Sequence, residues 1–275
     1  MGIGRRGRNR VWPPHPRTPL GEYQPDPAFF VLAVFKAIQA DKFSLAGLLL
    51  ALVILFKPHF VILLPLLLLR GQLKTLLYCA SAIIIGLFIP IIPEGWSGNV
   101  VLLEQWFATM QTHNVALSES VNTVYFQFAR FGLPISETAL VLMVLALTGG
   151  VFLWAMIRNG RLLQATSERR FYVEFFVLIA LIPNLTHTDT EHFIWSLPII
   201  LLLVSFVGST VNGKIKMLAL ALALFSFWLN SPDLLGKPAA LWMAGSGFLG
   251  LTNLIVVTIA LWIVDKNPSP QAAIE

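Results

Sequence analysis

Residues 43–69 read FSLAGLLLALVILFKPHFVILLPLLLL, an apolar run interrupted once, by Lys57, Pro58 and His59. An ammonium group in an apolar interior is costly, and proline removes a backbone donor. The stretch is therefore either one long kinked helix or two short helices meeting at Lys57 in a pocket that water reaches. The flanks favour the pair. Asp41 and Lys42 precede the first half, and Arg70 and Lys74 follow the second. Both outer ends thus carry the basic residues expected on the cytoplasmic side of a membrane, and Lys57 is expected at the opposite face. Pro58 is then the first residue of the second helix, where its missing N–H does little harm.

The rest of the chain supports a membrane setting. Of 275 residues, 56% are hydrophobic and 12% charged, and the mean hydropathy is +0.75. Such values, with several long apolar runs, predict an all-α, polytopic transmembrane helix bundle. The runs cover residues 28–38, 43–56, 60–69, 73–92, 139–157, 171–183, 193–207, 217–229 and 239–264. A net charge of +5 raises the question of nucleic acid. The basic residues, however, form short clusters between apolar runs and no basic face, which excludes that partner and makes the charge a topology signal. The one cysteine, Cys79, lies inside an apolar run, where a packed thiol is expected and no disulfide within the chain is possible.

Alternating the runs across a bilayer puts Lys42, Arg70, Lys74, Arg158, Arg161, Arg169, Arg170, Lys214, Lys216 and Lys266 inside, and Lys57, Arg130 and Lys237 outside. The polar inventory then gathers on the extracytoplasmic side of a plasma membrane, and a bacterial one is expected. Residues 1–27, rich in arginine and proline, break this map and have no signal-peptide apolar core. They are expected to be a disordered or aberrant leader ahead of a transmembrane domain at 28–264 and a cytoplasmic tail at 265–275. The chain reads as truncated at its N-terminus.

Two polar segments fall on the outer side. In residues 99–113, NVVLLEQWFATMQTH, apolar and polar residues alternate at helical spacing, which predicts an extracytoplasmic interfacial helix or a helix packed on the bundle rim. Residues 118–134, SESVNTVYFQFARFGLP, set Asn122, Gln127 and Arg130 among aromatic residues. That combination suits either a sugar pocket, whose amides and guanidinium bind hydroxyls or phosphate, or an ordinary interfacial loop. The second segment, residues 182–198, IPNLTHTDTEHFIWSLP, concentrates His187, Asp189, Glu191 and His192 between Pro183 and Pro198, both expected to break helices. Such a cluster can serve as acid and base, orient a sugar or bind a divalent cation, or be a solvated turn that caps the following helix. It matches no spaced histidine metal motif, so no metal site is assigned. Asn184-Leu185-Thr186 fits the glycosylation sequon, a pattern common by chance.

Taken in order, the Phe-Lys-Pro helix end, the proline-bearing helix HFVILLPLLLL, the basic RGQLK, the loop VNTVYFQFARFG and the later DTEHFIWSLP resemble glycosyltransferase family 87 of the GT-C superfamily. The resemblance runs from about Phe29 to the C-terminus. It implies a GT-C-like bundle that takes a sugar, such as mannose, from a polyprenyl-phosphate donor and passes it to a lipid or glycan acceptor. It also implies that Lys57 and Pro58, Asn122 and His192 occupy the family's motif positions, with His59, Gln127, Arg130, His187, Asp189 and Glu191 as further candidates for substrate binding. Where family members carry Ser-Trp and paired histidines, this chain has His187-Thr188-Asp189-Thr190-Glu191-His192. The first outer loop, which holds the family's catalytic aspartate, has no counterpart here, so the catalytic residue is unassigned and the chain, if complete as given, is expected to be inactive. The alternative is a transporter or flippase of a lipid-linked or anionic substrate, since transporters also use broken helices with an intramembrane lysine.

Overall fold

A computed structural model describes residues 27–113, 120–130, 168–186, 190–205, 213–229 and 232–266, with scattered positions between 136 and 150. Among them every regular element is helical. The elements are α1 (Pro27–Gln39), α2 (Phe43–Phe56), a 3₁₀ turn (Pro58–Ile62), α3 (Leu63–Leu69), α4 (Leu73–Phe88), α5 (Ile91–His113), α6 (Val124–Arg130) and α7 (Glu168–Leu185). A second 3₁₀ turn (Thr190–Ser196) leads to α8 (Leu197–Ser205), α9 (Gly213–Leu224), a π-helical turn (Phe225–Leu229), α10 (Pro232–Leu235), α11 (Lys237–Ser246) and α12 (Phe248–Lys266). The expected leader falls outside the described residues except for Pro27, which opens α1, as does the expected tail beyond Lys266.

The interruption at Lys57 resolves as a junction of two short helices. Lys57 is extended, with φ −137° and ψ 90°, because a residue before proline is disfavoured in the helical region. Its N–H still closes the last turn of α2 on the Val53 carbonyl at 2.8 Å, and Pro58 opens the 3₁₀ turn. The far ends of the two halves are also sharply terminated. After α3, Gly71 (φ 68°) and Gln72 return their N–H groups to the Leu68 and Leu67 carbonyls at 3.0 and 2.9 Å, a Schellman cap. After α1, Asp41 and Lys42 repeat this arrangement on Ile38 and Ala37 at 3.1 and 2.9 Å. Asp41 there takes the left-handed conformation, φ 54°, that glycine adopts at Gly71.

Helix α2 packs between α1 and α4. Its contact with α4 is backbone-close: a Cβ at Gly47 would lie 2.5 Å from Tyr78 Cβ and 2.7 Å from the Thr75 carbonyl. Small residues permit such approaches between apolar helices. Cys79 sits in this seam, 1% exposed, as expected of a packed thiol. Helix α7 is the hub. It contacts α12, both 3₁₀ turns, α3, α6, α8 and α1, and residues 173–185 are buried without interruption. Against α1 it presents Phe171, Tyr172, Phe175 and Phe176, whose ring centroids lie 5.3–5.5 Å from Phe35. Arg70 forms a fork onto Glu174 of α7, Nε to Oε2 at 2.8 Å and Nη2 to Oε1, with both side chains under a tenth exposed. Arg70 is thus one half of a buried ion pair as well as a charge flanking an apolar run.

Three expectations about element boundaries need correction. The run 73–92 is not one helix: α4 and α5 meet at 90°, since Pro90 cannot donate to continue α4 and Gly95 (φ 68°) kinks α5 again. The run 239–264 is likewise broken, at 60°, where Gly247 adopts a left-handed conformation (φ 73°). Pro183 does not itself end its helix, which runs two residues further. It lies inside α7, which ends at Leu185, and Pro198 falls in the first turn of α8, where its lack of an N–H matters least. Among the described residues no single helix is long and apolar enough to cross a membrane. The two bent pairs, Leu73–Phe88 with Ile91–Met110 and Lys237–Ser246 with Phe248–Leu261, have the length and composition to do so together. Residues 99–113 are helical as expected, within α5.

Candidate functional site

The extended backbone at Lys57 carries its side chain off the α2 axis and toward the second 3₁₀ turn. Lys57 Nζ lies 2.5 Å from His192 Nε2 and 5.7 Å from the centre of the Trp195 ring system. With an ammonium donor, Nε2 of His192 is the acceptor and the imidazole is neutral. The Trp195 ring is buried, 4.6 Å from the His192 ring and 5.0 Å from Phe60 between centroids, and Phe60 is wholly buried. A half-buried cation is therefore held by an imidazole nitrogen and an indole face, with no salt bridge to a carboxylate among the described residues. Cation–π contact stabilises such a charge by about 0.5–2 kcal/mol, and the net positive charge remains available to an anion.

His192 owes its position to what anchors the Thr190–Ser196 turn. Phe193, Trp195 and Ser196 face inward and are buried. Ser196 Oγ donates to Asn253 Oδ1 at 2.6 Å, and Asn253 Nδ2 donates to the Ala180 carbonyl at 2.7 Å and to Asn184 Oδ1 at 2.6 Å. Asn184 Nδ2 in turn donates to the carbonyls of Asn122 (3.1 Å) and Gly250 (2.9 Å), and the Gly250 N–H donates to Asn122 Oδ1 at 3.2 Å. Three asparagines and a serine thus join the α6 approach, α7, the 3₁₀ turn and α12. Asn184 and Asn253 are fully buried, and connected amides of this kind are specific because any misplaced member is left unpaired. Asn184 has no free surface, so its sequon is not accessible in the folded chain.

Of the other candidates, Asn122 is buried and belongs to this network. Gln127 and Arg130, on α6, reach the α11–α12 bend: Gln127 Nε2 lies 3.4 Å from the Gly247 carbonyl, and Arg130 Nη1 donates to the Ser246 carbonyl at 3.1 Å. They brace that corner and lie outside the Lys57–His192–Trp195 contact set. His59 is half-buried on the turn that follows Lys57. His187 and Asp189 lie outside the described residues. Glu191 is exposed and lines a cavity of about 810 Å³, together with Asn122, Ser226 and Lys237. No group of three or more His, Cys, Asp or Glu side chains able to hold a metal ion occurs among the described residues.

Sequence reasoning missed Trp195, Ser196, Asn184 and Asn253. The available signal was Asn253 in the middle of the run 239–264, since an amide in an apolar helix generally has a partner on another helix. The chain matches no family model, no curated protein and no solved structure.

Proposed function

We propose that the chain is a membrane-embedded protein of the glycosyltransferase type that binds a polyprenyl-phosphate sugar at the extracytoplasmic face, with Lys57 and His192 taking the phosphate. One observation carries the reading: Lys57 and His192, 135 residues apart in sequence, meet at a helix junction, and both are positions where the sequence resembles glycosyltransferase family 87. The two bent apolar helix pairs and the many exposed apolar side chains on α4 and α5 support a lipid environment. In it a polyprenyl tail lies in the acyl region and its phosphate at the headgroup level. A phosphate there accepts from the Lys57 ammonium, displacing the His192 imidazole from one Nζ–H and taking a second. Lipid and glycan hydroxyls are the expected acceptors.

The test is binding of polyprenyl-phosphate mannose by the purified chain. A charge-assisted hydrogen bond contributes about 1.5–3 kcal/mol, so Lys57→Ala is expected to raise the Kd roughly ten- to hundredfold, and His192→Ala to weaken binding less. Unchanged affinity in Lys57→Ala defeats the proposal. A second reading, a flippase or carrier, draws on the breaks at Phe88–Ile91 and at Gly247, which give the Lys57 junction companions of the kind transporters use. Movement of lipid-linked sugar across vesicles with no release of polyprenyl phosphate would favour it.

A further inference from the structure

The Thr190–Ser196 turn has a second working face. While His192 meets Lys57, Glu191 points to the cavity of about 810 Å³, a volume within the range of small-ligand sites. Its walls include Phe227, Met243 and Leu249, and Lys237 also lines it. Glu191 and Lys237 are both exposed, so the cavity carries one charge of each sign over an apolar interior.

Ser226 adds an independent observation. It lines the cavity, is 4% exposed, and its Oγ has no hydrogen-bond partner among the described residues. Some hydroxyls are satisfied by their own helices, as Thr252 donates to the Phe248 carbonyl and Thr258 to that of Leu254, at 2.8 and 2.7 Å, whereas Thr75 Oγ1 in α4, like Ser226 Oγ, has no partner among the described residues. Ser226 lies instead in the π-helical turn Phe225–Leu229. Wide turns of this kind occur often at functional sites, and a buried hydroxyl left without an acceptor is destabilising.

We propose that this cavity binds a zwitterionic glycerophospholipid with a primary ammonium head, of the phosphatidylethanolamine class. Its phosphate pairs with Lys237, its ammonium donates to Glu191, an ester carbonyl accepts from Ser226 Oγ, and the start of one acyl chain lies against Phe227, Met243 and Leu249. A net anionic lipid leaves Glu191 facing a phosphate with no cation of the lipid's own, and a neutral acylglycerol leaves both charges unmatched. A choline head has no N–H to give to Glu191. The site is separate from Lys57 and does not depend on the donor-phosphate reading.

The experiment is lipid retention by the purified 275-residue chain in mixed micelles containing equal amounts of dioleoyl phosphatidylethanolamine, phosphatidylcholine and phosphatidylglycerol, read by native mass spectrometry. Ethanolamine lipid is expected to be retained about tenfold over the other two, a ratio within the reach of one charge-assisted hydrogen bond. Glu191→Gln is expected to remove that preference, Lys237→Ala to lower retention of ethanolamine lipid about tenfold, and Lys57→Ala to leave it unchanged. Glu191 and Lys237 are exposed, so their variants should keep the helical circular dichroism of the parent. Equal retention of the three lipids by the unmodified chain overturns the proposal, as does wild-type preference in the folded Glu191→Gln and Lys237→Ala variants.

Discussion

Gly250→Ala tests whether the asparagine network sets the position of α12. A Cβ at Gly250 would fall 2.1 Å from the Asn122 carbonyl oxygen and 2.7 and 2.9 Å from the carbonyl carbon and Cα of the same residue. All three are backbone atoms, so no side-chain rotation relieves the clash. To restore an ordinary contact of about 3.4 Å, α12 and the Asn122 loop must separate by about 1.3 Å. At that separation the bond from Gly250 N–H to Asn122 Oδ1, at 3.2 Å, passes beyond hydrogen-bonding range, and Asn184 Nδ2, which donates to the carbonyls of both Gly250 and Asn122 at 2.9 and 3.1 Å, keeps only one of its two acceptors. Overpacking generally costs about 1–3 kcal/mol, and two interhelical hydrogen bonds in an apolar bundle add about 1 kcal/mol. The expected loss is about 3 kcal/mol, or a fall in Tm of roughly 6–12 °C for a chain of this size. The assay is thermal unfolding in detergent followed by circular dichroism. Gly245→Ala is the matched control: it lies on exposed α11 with nothing within 4 Å of the added Cβ, and it should leave Tm unchanged or raise it slightly, since alanine favours a helix. Equal Tm values for Gly250→Ala and Gly245→Ala would refute the close packing of α12 on the Asn122 loop.

Other consequences are open to measurement. Arg70→Ala leaves Glu174 buried with Arg170, at 3.6 Å, as its remaining cationic partner among the described residues, and should destabilise by about 3–5 kcal/mol, whereas Arg70→Met with Glu174→Leu should be near neutral; single and double variants unfolding together would show that the pair is not desolvated. Asp41→Gly should stabilise by roughly 0.5–1 kcal/mol, because glycine carries no penalty at a left-handed C-terminal cap, and a lower Tm would contradict the cap geometry. Cys79, at 1% exposure, should resist maleimide in the native chain and react fully once unfolded; rapid native labelling would place α2 and α4 apart.

What could be read from the sequence was what local chemistry dictates. The break at Lys57 follows from the steric demand of Pro58 on its neighbour, so two adjacent residues suffice to place it. Helical content followed from runs of Leu, Ile, Val and Ala, and the resemblance singled out Lys57 and His192 one by one, but nothing in the sequence joined them. The bends at Pro90 and Gly247 were missed because the hydrophobicity on either side is continuous, and run length alone does not separate a straight helix from a bent pair. Pro183 was given too much weight: in the last turn of α7 it removes one bond, and helix packing on every side holds the turn. The asparagine network was missed because its members lie far apart in the chain. Asn253 taken alone signals a partner, but which helix supplies it is a matter of packing.

Helix α7 has one more implication. Residues 173–185 are buried all round, so this stretch of the hub is shielded from the surroundings, whatever they are, by the helices packed on it. A change of solvent acts first on the outer helices, on α4 and α5 above all, whose apolar side chains are exposed, and reaches residues 173–185 only as pressure from their neighbours. The surroundings can therefore be varied widely while the internal frame that carries Asn184 and Glu174 keeps its shape, and the selective constraint on α7 is one of volume and shape, set by the helices around it.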